Sequence, residues 1–176
     1  IDYSIQGGKR IRPMIVLELC TKMNINKDVT KYLIIAIELL HNASIILDDM
    51  PFMDDDKYRR NKLCLHKKYG SVNAKITANF MIMEAYKYFS YLNKNTNLNC
   101  ILKMINLVTY VNNKNQDICM GQYYDLYSFK DKNTEINENL IYNINLKTIP
   151  FFAISFMSPF IMLSLIHISE PTRRRT

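Results

Sequence analysis

The stretch that most constrains this chain is an apolar run that ends in a crowd of acids. Ile45-Ile46-Leu47 leads directly into Asp48-Asp49-Met50-Pro51-Phe52-Met53-Asp54-Asp55-Asp56, five carboxylates in nine residues, and Arg59-Arg60 follow at once. Acids at that density repel one another, so a folded chain gains from them only if a cation sits among them. They also emerge from a segment apolar enough to be buried. Oxygen ligands around a divalent ion are the simplest resolution, and Mg²⁺ typically takes one or two carboxylates together with substrate phosphates. The two arginines suit bidentate recognition of phosphate. Acid for a metal and base for a phosphate read as a metal–diphosphate site. Taken alone, the run also fits a solvated acidic loop.

The rest of the pattern points to an all-α protein. Gly occurs four times in 176 residues, Trp is absent and 48% of residues are apolar, so long segments run without breakers and a folded rather than disordered chain is expected. Helices are expected over 10–23, 30–49, 66–92 and 98–127, and a last one over 136–162, interrupted or kinked at its prolines. Ile34, Glu38, His41, Ile45 and Asp48 fall on one helical face. Strand patterning is weak. Asn- and Lys-rich stretches at 93–99, 112–116 and 130–139 read as solvated loops, and short polar connections between long helices imply antiparallel neighbours in a bundle.

Charge and cysteines narrow the function classes. The net charge is +7, but the basic residues are scattered and no aromatic-interleaved patch appears, so nucleic acid is not the expected partner. Cys20, Cys64, Cys100 and Cys119 show no paired spacing and read as reduced thiols of an intracellular protein, small buried hydrophobes rather than ligands. Residues 149–168 approach the length of a bilayer span, with Arg173-Arg174-Arg175 as a basic flank. Pro150 and Pro159 argue instead for a buried core helix, and no integral membrane segment is expected.

Four further groups carry chemistry. Gly7-Gly8-Lys9-Arg10-Ile11-Arg12-Pro13 places two glycines and three cations where a helix begins, which suits an anion; a basic helix cap is the plainer reading. His41 lies two turns before Asp48, so both face one cavity. Gln122 and Asp125 share a face within Gly121–Leu126. Lys147-Thr148 precede the apolar run, where a lysine is costly unless paired; a snorkelling lysine is the alternative.

In this order the groups resemble the trans-isoprenyl diphosphate synthases, whose pattern runs GGKRxRP, H-x-A-S-x-x-x-D-D, DDxxxxD with RR, GQxxDL and KT. The likeness covers residues 6–157. The two-residue insertion within the acidic motif, at Met50 to Met53, is similar to geranylgeranyl diphosphate synthases of bacterial and plastid type. The resemblance implies an isoprenoid synthase bundle and a Mg²⁺-dependent condensation of an allylic diphosphate with isopentenyl diphosphate. Lys9, Arg12, His41 and Arg60 would hold isopentenyl diphosphate, and Asp48 and Asp54 would be the metal ligands. Arg59, Lys147 and Thr148, with Gln122 and Asp125 beside the metals, would serve the allylic diphosphate. A homodimer and a cytoplasmic or organelle-matrix location follow from the same likeness. So does a product-length reading: Ala43 and Ser44, five and four residues before Asp48, are small, which leaves room for a long chain.

The departures matter as well. Asn61 stands where the family has Gly after the arginines, and Ala78-Asn79 where it has Gly-Asp. The family's second aspartate-rich motif is missing. Residues 1–162 are expected to be the N-terminal half of the domain, its start missing because the chain opens on Ile1, and inactive by themselves. Residues 163–176 resemble a translated sequencing adapter and are expected to be foreign; without them the charge is +5, since they carry three Arg and one Glu. A terpene cyclase also uses an aspartate-rich metal site but needs no Lys9, Arg12 and His41. A non-catalytic subunit of a synthase heteromer needs none of Asp48, Asp54 and Arg59.

Overall fold

The structure is a computed structural model that describes residues 1–92, 98–128 and 136–164. The Asn-rich turn at 93–97 and residues 165–176 of the expected foreign tail lie outside the described residues. The described chain is helical but for one small hairpin, in the order α1 Asp2–Ile5, α2 Ile11–Lys22, α3 Lys27–Asp48, β1 Tyr58–Arg59, β2 Lys62–Leu63, α4 Leu65–Tyr69, α5 Ser71–Ser90, α6 Leu98–Ser128 and α7 Ile136–Ser164.

Local chemistry sets the boundaries of the central helix. Asn24 adopts φ 53°, a left-handed exit that ends α2. Two residues later the Asn26 side chain accepts from the Asp28 N–H at 2.8 Å and caps α3. At about 1.5 Å per residue α3 is roughly 33 Å long, so it crosses the whole molecule. It packs along α5 and against α2 and α7, while α6 and α7 lie along each other. Leu33, Ile37 and Leu40 of α3 join Phe89, Leu107 and Ile154 in the main core. Nearer the acidic end, Ala43 and Ile46 meet Met50, Ala74, Ala78 and Met81 in a second cluster. Ala78, the family's Gly position, is fully buried there, so a methyl group fits the α3–α5 approach.

Four expectations are corrected. The stretch at 112–116, expected as a loop, lies inside α6. The helix over 66–92 is two helices, because Gly70 takes φ 85° and ψ 154° and leaves the helical region between α4 and α5. The stretch after the acids is a hairpin: Tyr58 pairs with Leu63 and Arg59 with Lys62. Its turn residues, Arg60 and Asn61, both have positive φ, at 53° and 61°, the geometry of a two-residue type I′ turn. Asn61 replaces the family's Gly there because Asn tolerates the left-handed region. Finally, α7 runs through Pro150 and Pro159 without interruption. Burial of Phe151, Ile154, Ser155 and Ser158 around the prolines outweighs a cost of about 3 kcal/mol per interior proline. Both α3 and Asn145–Leu163 within α7 are long and apolar enough to cross a bilayer by length and composition alone.

Candidate diphosphate and metal site

The last turn of α3 delivers Asp48 and Asp49 at the negative end of the helix dipole, the unfavourable end for an acid. The chain then folds back on itself. The Asp54 N–H donates to the Asp48 carbonyl at 2.9 Å and the Asp55 N–H to that of Met50 at 3.1 Å, with the Met50 side chain buried as the anchor. This turn sets Asp54 against Asp48. Burial pushes the Asp48 carboxyl up to about 6, Lys147 pulling it down and Asp54 adding to the rise.

Lys147 reaches this end from α7. Its Nζ donates to Asp125 Oδ2 at 2.8 Å. Burial opposes its charge, but Asp125, Asp48 and Asp54 together hold the ammonium above the ordinary lysine range. The reach depends on Gly121. A Cβ there would lie 2.7 Å from the Lys147 backbone N and 2.8 Å from the Leu146 carbonyl carbon, so only glycine lets α6 and α7 approach this closely.

The two arginines of the hairpin part company. Arg59 Nε donates to Asp49 Oδ1 at 2.5 Å and its Nη2 to Asp56 Oδ2 at 2.9 Å. Burial raises the Asp49 carboxyl, with the Cys64 thiol and Arg59 opposing the rise. Burial and the neighbouring Asp49 in turn push the Cys64 thiol up to about 12, so it stays protonated. Arg60 turns the other way. Its Nη1 donates to the Gly7 carbonyl at 3.2 Å, and its guanidinium covers Gly8, where a Cβ would lie 2.8 Å from Arg60 Cζ. Gly8 also has φ 87°, so both space and conformation require glycine.

Two turns back along α3 from Asp48, Gly8, Lys9, Arg12, His41 and Arg60 line a separate cleft of about 60 Å³, so His41 and Asp48 share a helix face but line different cavities, not the single one expected. Burial, then Arg12 and Arg60, push His41 down to about 3. The neutral ring accepts at Nε2 from Arg12 Nη1 at 3.0 Å. The Arg12 guanidinium lies 4.6 Å from the Phe152 ring centre and 5.5 Å from that of Phe151. Arg10 pairs with Glu38 and donates to the Ile5 carbonyl, and Asn42 holds Glu38 at 3.0 Å. Arg10 is thereby neutralised by Glu38, and this pair lines the cleft beside Lys9 and Arg12.

Below Asp48 opens a largely apolar cavity of about 590 Å³, with Ser44, Leu47, Ile82, Ile118, Gln122 and Leu126 in its wall. Gln122 is buried there, and both polar atoms of its amide lack a partner. Of the two residues read as channel-lining, only Ser44 lines it. Ala43 is fully buried in the α3–α5 interface, because one helical step of about 100° turns it away. Thr148 is exposed and lines none of the described cavities.

The donor set fits Mg²⁺ carried on a diphosphate. Among the described residues no three potential ligands form a group that would hold an ion by themselves. An Asp48 carboxyl raised by burial and by the neighbouring Asp54, beside a lysine, suits a cation arriving with its own phosphate oxygens.

Solved structures of the same architecture include the geranyltranstransferase of Thermotoga maritima, with TM-score 0.80 and 27% identity over 92% of this chain and 58% of that one. An isoprenoid synthase family member from Thermotoga neapolitana matches with TM-score 0.80 and 26% identity over 92% of this chain and 60% of that one. Fold and charged end together define a protein of the isoprenoid synthase class. Farnesyl diphosphate synthase of Micrococcus luteus is 34% identical over 139 residues, 78% of this chain and 46% of its own. Geranylgeranyl diphosphate synthase of Cyanophora paradoxa is 33% identical over 129 residues, 73% of this chain and 43% of its own. The polyprenyl synthetase profile matches residues 1–171, and the chain belongs to that family. It spans about half the length of these curated relatives.

Some working parts were not singled out from sequence. Asp49 and Asp56 grip Arg59, Glu38 braces Arg10, and Gly121 sets the α6–α7 approach. Glu38 had a signal, since it shares the face of His41 and Asp48. The grip of Asp49 and Asp56 depends on a turn that the sequence shows only as Asn61.

Proposed function

We propose that the protein carrying this chain is a Mg²⁺-dependent trans-prenyltransferase that joins an allylic diphosphate to isopentenyl diphosphate. The observation that carries this reading is the pairing of two unlike sites two turns apart along α3. One is an acidic helix end over an apolar cavity; the other is a basic cleft lined by glycine and a neutral histidine.

Asp48 and Asp54 would hold Mg²⁺ through the allylic diphosphate. When bound, the ion neutralises the charge that builds on the departing diphosphate. Lys147 adds a fixed positive charge at the same end, and stabilising the leaving group more than the bound substrate is what accelerates ionisation. Arg59, held by Asp49 and Asp56, exchanges part of that grip for phosphate oxygens. Gln122 supplies amide dipoles beside the metal. Lys9, Arg12, His41 and Arg60 hold isopentenyl diphosphate so that its double bond meets the allylic carbon. The neutral His41 donates or accepts a hydrogen bond without adding charge. The apolar walls keep water away from the reacting carbon. Thr148 would join the allylic diphosphate only after a local rearrangement, since its side chain faces solvent.

Geranylgeranyl diphosphate is the proposed product. The small Ser44 in the wall of the 590 Å³ cavity and the insertion at Met50 to Met53 support it. The active unit is a homodimer in a reducing compartment, cytoplasm or organelle matrix. Val72, Ile76, Phe80 and Met83 form an apolar stripe on α5, exposed at 73%, 60%, 49% and 70%, and the four cysteines are free thiols.

The test is incubation of the full-length protein with labelled isopentenyl diphosphate, Mg²⁺ and allylic diphosphates of five, ten and fifteen carbons. The expected outcome is an elongated product ending at twenty carbons, shortened by Ser44→Phe. Absence of any elongated product overturns the prenyltransferase reading. A fifteen-carbon product from the wild type, or an unchanged length in Ser44→Phe, overturns the reading of the product.

A further inference from the structure

We propose that Phe151 is the partition between the two substrate sites and positions Arg12 and His41 for isopentenyl diphosphate; this rests on the prenyltransferase reading. Phe151 stands one turn after Lys147 on α7 and is 5% exposed. On one side its ring forms part of the wall of the cavity under Asp48. On the other it meets the edge of the His41 ring, with centroids 5.4 Å apart at 66°, and the Arg12 guanidinium at 5.5 Å. One side chain thus belongs to the allylic cavity and, through its two neighbours, to the basic cleft.

Hydrogen bonding alone does not fix those neighbours. Arg12 Nε and His41 Nδ1 are buried without a partner, and the contact between Arg12 and His41 is a single one at 3.0 Å. Ring packing supplies the remaining constraint, since a guanidinium held against an aromatic ring is attracted to it. An aliphatic side chain of similar volume would fill the space but lose the Phe151 share of that attraction, leaving Arg12 only the Phe152 ring at 4.6 Å, and would lose the edge-on contact with His41. The partition would then leak in both directions. Arg12 and His41 would lose their preset geometry, and water would reach the allylic carbon from the cleft. In that side reaction the carbon–oxygen bond of the allylic diphosphate breaks, water adds to the carbon and loses a proton, and a prenyl alcohol and diphosphate leave.

The experiment compares wild type, Phe151→Leu and Phe151→Tyr in the full-length protein, each with helix content checked by circular dichroism. The readouts are KM for each substrate and the ratio of prenyl alcohol to elongated product. Phe151→Leu should raise KM for isopentenyl diphosphate roughly three- to tenfold, the range expected for a lost cation–π contact. It should leave KM for the allylic substrate nearly unchanged and raise the alcohol ratio. Phe151→Tyr, which keeps the ring, should behave as wild type. Equal changes in both KM values, an unchanged alcohol ratio, or a Phe151→Tyr variant as impaired as Phe151→Leu overturns the partition. A wild type that forms no product overturns the prenyltransferase reading instead. Calorimetric binding of isopentenyl diphosphate to wild type and Phe151→Leu then still decides whether Phe151 positions Arg12 and His41.

Discussion

Asp48 sits where its charge is least welcome, half-buried at the negative end of a long helix. Its folded pKa, raised from 3.8 to about 6, means that the folded chain keeps a proton which the unfolded chain loses. Stability contributed by Asp48 therefore falls as pH rises from about 4 to 6 and stays lost above that, a cost on the order of 3 kcal/mol. Asp48→Asn should accordingly raise the thermal midpoint of the metal-free chain at pH 8, with the gain vanishing at pH 4, while abolishing turnover of the full-length protein. A lower midpoint at pH 8 contradicts this account. His41 works in the opposite direction. Its pKa drops from 6.5 to about 3, so its contribution is present above 6.5 and is lost as pH falls through that window. His41→Asn should lose less stability than wild type between pH 7 and pH 5, read from thermal melts. At this scale the sequence was informative about which charged residues gather at one end of the bundle, as with Asp48 beside Lys147 and Arg12 beside His41. It was silent where role depends on partner. Nothing in the order of residues says that Asp49 holds Arg59 or that Ala43 and Ser44 face different ways.

Helix α7 shows how an element can carry a site that its own composition hides. Its apolar face is read from sequence, but the approach that brings Lys147 to Asp125 is set by Gly121 on α6. Gly121→Ala gains up to about 1 kcal/mol of helix propensity. It also drives a Cβ into backbone 2.7 Å away, and overpacking of that kind costs about 1–3 kcal/mol. The rigid neighbour is backbone, so the clash wins. Chemical denaturation should show net destabilisation, and the full-length variant should lose activity because Lys147 moves from Asp48. A Gly121→Ala protein as stable and active as wild type contradicts this packing. Long helices were legible because their apolar periodicity extends over many turns. The break at Gly70 and the hairpin at Arg60-Asn61 were not, because each turns on one or two φ angles that local propensity does not dictate.

For the molecule as a whole, the core lies on one side of α5 and leaves the other side apolar and uncovered. Val72, Ile76, Phe80 and Met83 recur at helical spacing and are all exposed, more contiguous apolar surface than an isolated helix face usually shows water. If this face joins two copies, Phe80→Lys should shift the protein from dimer to monomer in sedimentation velocity without loss of helix content. A monomeric wild type contradicts the homodimer. The bundle itself followed from the absence of breakers and the apolar faces, and the family profile agrees with it over residues 1–171. Which faces remain open did not follow, because that depends on how the helices divide between the two core clusters.

The hairpin turn has a consequence for how such a chain can vary. Arg59 and Arg60 are neighbours in sequence, yet one leaves the turn toward the acids and the other toward Gly7. A deletion or insertion of one residue at the tip would reverse side-chain direction along the strand and hand each arginine to the wrong ligand. Changes of length are therefore tolerable only upstream, in the folded-back loop between Asp49 and Asp54, where added residues bulge outward and leave the arginine register untouched. Divergence in this family should accumulate its gaps there, with the six residues from Tyr58 to Leu63 kept at constant length.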